Sequence, residues 1–351
     1  MKRVVAVDVG QAEIRVVGPG GRVCTLRFNF PRQAHELSAA LSQLFGDAGP
    51  FDALAVTTAA EGSPAFDTKI AGLRHVLASV KAAAVRQCPT RTGSGRKCGF
   101  PEILVWRTDR RFTTLGDALD DPVPCMSSGW LALAIVAARR VPEGRGILVH
   151  VGPATTHLVA IAGGVPRPIG ATETERLVSG ELVYSGVSHT PIAAVVREVP
   201  LRGARCPVSA EPSATTGDAY IVLGRLEERP SDMDTADGRP ATKASALARL
   251  ARAVCADPSA FGEEEAREVA ACVLEEQVSR LRGALARLER AGGDGAFSTA
   301  VVSGPGEFIA RLALEGSPAK VVHVSEAFGS EAARAAVAYA LWQLASEAVA
   351  K

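Results

Sequence analysis

The chain contains no CxxC pair. Its seven cysteines (Cys24, Cys88, Cys98, Cys125, Cys206, Cys255 and Cys272) are odd in number and scattered. That excludes a disulfide framework or a zinc module of standard spacing and points to reduced thiols. No apolar run reaches the ~18 residues needed to span a bilayer. The first residues lack the apolar core and small-residue cleavage site of a secretory leader, so a cytoplasmic protein is expected, with no membrane partner. Charge is balanced, at a formal net of +1 over 351 residues. Heptads and basic patches interleaved with aromatics are also missing, so nucleic acid is not an expected partner.

What is present is a soluble α/β pattern, 47% hydrophobic and 22% charged. The first apolar run, Val4 to Val9, reads as a buried central strand ending in Asp8-Val9-Gly10. Ile14 to Val17 and Val23 to Phe28 read as strands, and Ala34–Phe45 as a helix with Leu37, Leu41 and Leu44 on one face. Phe51 to Thr57 is the next strand, followed by a helix over Lys69–Arg86, a strand at Ile103–Trp106 and a helix over Trp130–Arg140. Gly146 to Gly152 repeats the rhythm of the first strand, and Thr156–Ile161 and Val165–Pro168 follow as short strands. This indicates a duplication at about 140 residues. Two ribonuclease-H-like lobes are expected, 1–142 and 143–351, with a substrate subdomain inserted at about 172–242. Short strands are expected there at Ala193–Val199 and Ala219–Leu223. Helices at Thr242–Ala256, Glu263–Arg290, Glu307–Leu314 and Ser330–Val349, with strands at Ala300–Val302 and Lys320–Val324, close the second lobe.

Three glycine turns follow strands: Asp8-Val9-Gly10, His150-Val151-Gly152-Pro153-Ala154-Thr155-Thr156-His157, and Ser303-Gly304-Pro305-Gly306. Glycine lets backbone N–H groups approach phosphate oxygens. Thr155 and Thr156 offer hydroxyl donors, and Asp8 offers a hard oxygen ligand suited to Mg²⁺. Gly304 and Gly306 precede a helix N-terminus, which favours an anion. The three turns are similar to the phosphate and adenosine loops of the actin-like ATPase fold. Gly93-Ser94-Gly95-Arg96-Lys97 lacks P-loop spacing and reads as an exposed loop.

The blocks Thr172-Glu173-Thr174-Glu175-Arg176-Leu177, Gly180 to Val187 and Thr190-Pro191 narrow the reading. So do Ala214-Thr215 with Asp218 and Tyr220, Thr235 to Arg239, and Ala248 to Arg252 with Cys255-Ala256-Asp257. Together with Ala55 to Thr58, Glu61, Phe66, Thr68-Lys69, Gly72 and Trp130-Leu131-Ala132, they resemble the hydantoinase/oxoprolinase-related proteins of tetrahydromethanopterin-linked one-carbon transfer. The resemblance implies a condensing transferase of methanofuran-type biosynthesis. An aminomethylfuran-methyl diphosphate would join a tyramine- or tyrosine-type phenol as an aryl ether, releasing diphosphate. It implies Asp8 and His150 near a metal, with Mg²⁺ the expected ion. Gly10, Gly152, Thr155, Thr156, Gly304 and Gly306 would surround phosphate. Lys69 would neutralise diphosphate, and Glu61 or Glu181 would act as base. Glu173, Arg176, Tyr184, Asp218, Asp237 and Arg239 would contact substrate. The plainer alternatives are a solvated Lys69, Glu61 as a helix cap and Asp237-Gly238 as a turn. Partners are small molecules, and self-association into a homodimer is left open.

Several positions depart from the family pattern. His150 and His157 stand where carboxylates are usual, Gln11-Ala12-Glu13 replaces Gly-Ala-Asn, Gly129 replaces Asn, His189 replaces Arg, and the loop 91–99 is extra. Imidazole suits a softer divalent ion than Mg²⁺. The alternatives to the synthase are therefore a catalytically degenerate paralogue acting as partner or regulator, or an ATP-dependent kinase or hydrolase of the same fold.

Overall fold

The computed structural model describes residues 2–87, 100–292 and 295–350. The loop 91–99, Cys88 and Cys98 lie outside the described residues. The chain divides into two compact units. One comprises Met1–Gly144, Ile161–Arg176 and Val322–Lys351; the other comprises Arg145–Ala160 and Leu177–Val321.

The first unit is built on β1 (Val4–Val9), β2 (Glu13–Val17), β3 (Val23–Arg27), β4 (Ala53–Thr58), β5 (Glu102–Trp106) and β6 (Phe112–Thr114). Their order is β3-β2-β1-β4-β5-β6. β2 is antiparallel to β1 and β3, whereas β4 runs parallel to β1 and β5. Every residue of β1 and β4 is buried, as their largely apolar sequences require of strands covered on both faces. One face carries Val5, Val7, Leu54 and Val56 against Leu41 and Phe45 of helix Leu37–Ala48 and Leu73, Val76 and Val80 of helix Lys69–Arg86. The other face carries Val4, Ala6, Ala53 and Ala55 against Leu341 and Ala345. Those two residues lie on helix Ala336–Val349, expected to close the second lobe. That helix belongs to the first unit instead. Its small apolar face matches the small residues of β1 and β4, and Trp342 Nε1 donates to Val4 O at 3.1 Å. It is also not continuous from Ser330, because Ala335 leaves helical geometry at φ −116°, ψ 37°.

The second sheet contains β7 (Arg145–Val151), β8 (Thr156–Ala162), β9 (Val165–Pro166), β10 (Leu182–Val183), β13 (Thr299–Ser303) and β14 (Lys320–His323). A separate hairpin is formed by β11 (Glu198–Leu201) and β12 (Ala204–Pro207). The main order is β10-β8-β7-β13-β14, with β9 on β8. The path β9-β8-β7-β13-β14 thus repeats β3-β2-β1-β4-β5, including the parallel central pair β7–β13. The duplication seen as a sequence rhythm is a duplication of topology.

The inserted segment is more helical than expected. Ala219–Leu223 is not a strand: Ala219 to Val222 end helix Thr216–Val222, and Leu223 is its C-cap. A capping box initiates it: Asp218 accepts from Thr215 N at 2.9 Å. Ala219, Ile221 and Val222 then pack with Val269, Ala270 and Val273 of the long helix Glu263–Ala291. Likewise, the expected strand Ala193–Val199 is a short helix, Ile192–Val195, followed by β11. Continuous apolar runs do not distinguish a buried strand from a buried helix, and here the cap decides.

Candidate functional site

In the first unit, β1, β4 and β5 all point their carboxyl ends the same way. This is where open α/β sheets gather ligand-binding groups. Asp8 lies at that end of β1 and is 8% exposed. The hairpin register places Arg15 opposite it. Arg15 Nη1 is 3.7 Å from the Asp8 carboxylate, while its Nη2 binds Glu13 at 2.6 Å. Burial pushes the Asp8 carboxyl up to about 6, against the pull of Arg15. Asp8 is therefore largely ionised at pH 7 and only partly compensated. This fits Mg²⁺ held by one carboxylate, water and substrate phosphate, rather than by an all-protein cage. Among the described residues no group of three or more His, Cys, Asp or Glu could hold a metal ion.

Glu61 lies in the short helical turn Ala60–Gly62 directly after β4. The turn is fastened to β1, since Ala59 N donates to Val9 O at 3.0 Å and Thr58 Oγ1 donates to the same oxygen at 3.1 Å. A Cβ at Gly72 would lie 2.4 Å from Glu61 O, so only glycine lets helix Lys69–Arg86 approach so closely. Glu61 is 1% exposed. Its Oε1 accepts from Ser127 Oγ at 2.6 Å, and Oε2 has no hydrogen-bond partner among the described residues. Burial pushes its carboxyl up to about 7, opposed chiefly by the Ser127 bond. It is a buried carboxyl rather than a helix cap, the cap of the neighbouring helix being Thr68. Lys69, at the start of the neighbouring helix, is ion-paired with Glu173. These two expected residues do come together, but as partners of each other. Arg176 is fully buried, its guanidinium stacked 3.7 Å over the Trp130 ring. This contact holds the two residues together by packing and cation–π attraction.

In the second unit the second glycine turn repeats the first. Gly10 N donates to Glu13 O at 3.0 Å, and Gly152 N donates to Thr155 O at 2.8 Å. The third turn sits on the end of β7: Gly306 N donates to Val151 O at 3.1 Å, and Gly304 has φ +95° with a Cβ position 2.3 Å from that same oxygen. His150, His157, Thr155 and Ser303 gather around these turns. His150 Nδ1 is 3.1 Å from Ser303 Oγ, His157 Nε2 is 3.3 Å from Thr155 Oγ1, and the imidazole centroids are 6.3 Å apart.

Other expected site residues are engaged within the second unit. Thr156 is buried and donates to Ser185 O at 2.8 Å, so its hydroxyl is not directed at phosphate. Asp218, expected at substrate, is 3% exposed and bound to Arg249 at 2.6 Å. Asp237 accepts from Arg249 at 2.9 Å and from Arg252 at 2.8 Å, and Arg239 lies exposed 4.0 Å from it. This network locks the 235–239 loop to helix Lys243–Ala253. Glu181 is fully buried, with Ser179 Oγ donating to it at 3.1 Å. Tyr184 is exposed.

Sequence reasoning missed Ser127, Arg15 and Arg249. Arg15 was recoverable by counting outward from the Gly10 turn to the residue facing Asp8. Nothing in Met126-Ser127-Ser128 marks Ser127, which is brought to Glu61 across 66 positions.

A sheet order of 3-2-1-4-5 built twice, each copy with a glycine turn closing its first hairpin, defines an α/β protein of the actin-like fold class. An acetone carboxylase whose reported reaction is ATP-dependent shares the fold, with TM-score 0.54 and 12% identity over 97% of this chain and 70% of that one. An archaeal actin homolog in complex with ADP is also similar, with TM-score 0.47 and 14% identity over 99% of this chain and 100% of that one. Within that class, the chain belongs to the hydantoinase/oxoprolinase family, whose model matches residues 53–346. It is 24% identical over 346 residues, 97% of each chain, to the (4-{4-[2-(gamma-L-glutamylamino)ethyl]phenoxymethyl}furan-2-yl)methanamine synthase of Methanocaldococcus jannaschii. Among the described residues, no helix is long and apolar enough to cross a membrane.

Proposed function

We propose that the chain is a condensing transferase that joins a furan-methyl diphosphate to a phenol in methanofuran-type biosynthesis, supporting tetrahydromethanopterin-linked one-carbon metabolism. The observation that carries this reading is the correspondence over 97% of both chains with a synthase whose product name contains a phenoxymethyl-furan ether. In the reaction the phenol oxygen forms a bond to the furan-methyl carbon. The bond from that carbon to the diphosphate oxygen breaks, diphosphate leaves, and the phenolic proton passes to Glu61. A phenol of pKa ~10 facing a carboxyl near 7 makes full proton transfer uphill by about 4 kcal/mol. The proton therefore moves as the C–O bond forms. Glu61 is 1% exposed, so bulk water does not compete for its carboxyl. Lys69 would exchange Glu173 for a phosphate oxygen. Asp8 would hold Mg²⁺, which when bound supplies charge neutralisation to the departing diphosphate.

The replacement of carboxylates by His150 and His157 favours a second reading, a non-catalytic paralogue in the same pathway. Incubation with aminomethylfuran-methyl diphosphate and glutamyltyramine or tyrosine, read by mass spectrometry, tests the first. Ether formation supports the synthase, whereas folded protein that neither forms ether nor binds diphosphate by calorimetry supports the second. ATP turnover without a furan substrate would instead indicate a kinase- or hydrolase-like activity.

A further inference from the structure

We infer that Ser127 is a positioning residue that holds Glu61 by Oε1 and thereby assigns the proton-accepting role to Oε2. The inference deepens the reading of Glu61 as the base and rests on it.

Ser127 adopts φ +45°, a left-handed conformation that serine avoids. Such a conformation costs about 1–3 kcal/mol and persists only where the surroundings enforce it. Here they do. The next residue, Ser128, is fully buried. Its hydroxyl donates to Trp106 O at 3.0 Å, at the end of β5, and lies 3.2 Å from Thr57 Oγ1 on β4. Helix Gly129–Ala138 starts immediately afterwards, at a glycine whose Cβ position would be 2.7 Å from Val337. The turn is therefore clamped on both sides, and the strain falls on the one residue whose hydroxyl reaches Glu61 at 2.6 Å. From the other side, Gly72 fixes the Glu61 backbone.

The carboxyl thus has one oxygen held by the Ser127 hydroxyl and one without a partner at full hydrogen-bond geometry among the described residues, the Glu61 N–H and the Thr58 hydroxyl favouring its charged form more weakly. Thr58 lies beside it but donates to Val9 O. The charged group acting on it is Glu173, which opposes ionisation and is itself ion-paired with Lys69 at the start of the packed helix. A proton accepted by Oε2 leaves Oε1 as the carbonyl that Ser127 binds. A proton on Oε1 would compete with that bond.

Infrared difference spectra of wild type minus Glu61→Gln isolate the Glu61 carboxyl without any substrate. Ser127→Ala and Ser127→Gly both delete the hydroxyl, and the glycine variant also relieves the backbone, so folding failure in one does not end the test. In each variant the Glu61 titration should move up by about one unit or more, the loss of one hydrogen bond to a charged acceptor. The C=O stretch of the protonated form should rise as its donor is lost. The acid limb of kcat/KM should shift by the same amount, with KM within about two-fold. An unshifted titration and stretch in the folded variants would overturn the inference. A shifted titration in a protein that forms no ether would leave Ser127 as the positioner of Glu61 and refute the condensation instead.

Discussion

Replacing Glu61 with glutamine should make the protein more stable and less active at the same time. Its carboxyl is pushed from 4.5 to about 7 by burial. A folded-state value above the unfolded one means that stability is fully present below pH 4.5 and declines as pH rises through 7. The shift of about 2.5 units corresponds to roughly 3 kcal/mol on full ionisation. Most of this, about 2–3 kcal/mol, falls between pH 5 and pH 8. Glutamine matches the shape, can accept from Ser127 and carries no charge, so Glu61→Gln loses only this decline. Urea unfolding followed by circular dichroism at pH 5, 6, 7 and 8 measures it. The variant's advantage over wild type should grow by about 2–3 kcal/mol across that range, while ether formation falls by at least about 100-fold. A stability difference that does not change with pH would refute the assignment of a buried, costly carboxylate. That result would leave Glu61 an ordinary structural residue.

Further outcomes follow from neighbouring geometry. Asp8→Asn should abolish Mg²⁺-dependent diphosphate binding measured by calorimetry while leaving the circular dichroism spectrum unchanged. Gly72→Ala forces a Cβ to within 2.4 Å of Glu61 O and should cost about 2–4 kcal/mol in denaturant unfolding, with activity lost beyond the stability effect. Arg249→Met strands the buried Asp218 carboxylate and should destabilise by about 3–5 kcal/mol; Arg249→Met combined with Asp218→Leu should recover much of that loss. Lys69→Ala should raise KM for the furan diphosphate about ten-fold or more, with a much smaller change in KM for the phenol.

The central strands were legible because burial on both faces demands near-continuous apolar runs such as Val4 to Val7 and Ala53 to Val56. The duplication was legible because both first hairpins close on a glycine. The inserted helices were misjudged where an apolar run, Ala219 to Val222, carries no period and the Thr215–Asp218 cap alone sets its geometry. The last helix was misassigned because its destination depends on small residues in β1 and β4 more than 280 positions away, which no local pattern records. At the site, the same limit applied in reverse. Asp8 and Glu61 stood at strand ends and could be singled out. Asp218 and Asp237 looked equally available, yet are occupied by Arg249 and Arg252 from a helix whose sequence reads only as amphipathic.

The most direct test is a single stoichiometric assay of the purified full-length protein. Aminomethylfuran-methyl diphosphate, glutamyltyramine and Mg²⁺ are supplied together, with the ether read by mass spectrometry and diphosphate by a coupled assay. The account predicts one diphosphate released per ether formed, with both falling by at least about 100-fold in the Glu61→Gln protein. Ether formation undiminished in Glu61→Gln, or no ether from the folded wild-type protein, would contradict it.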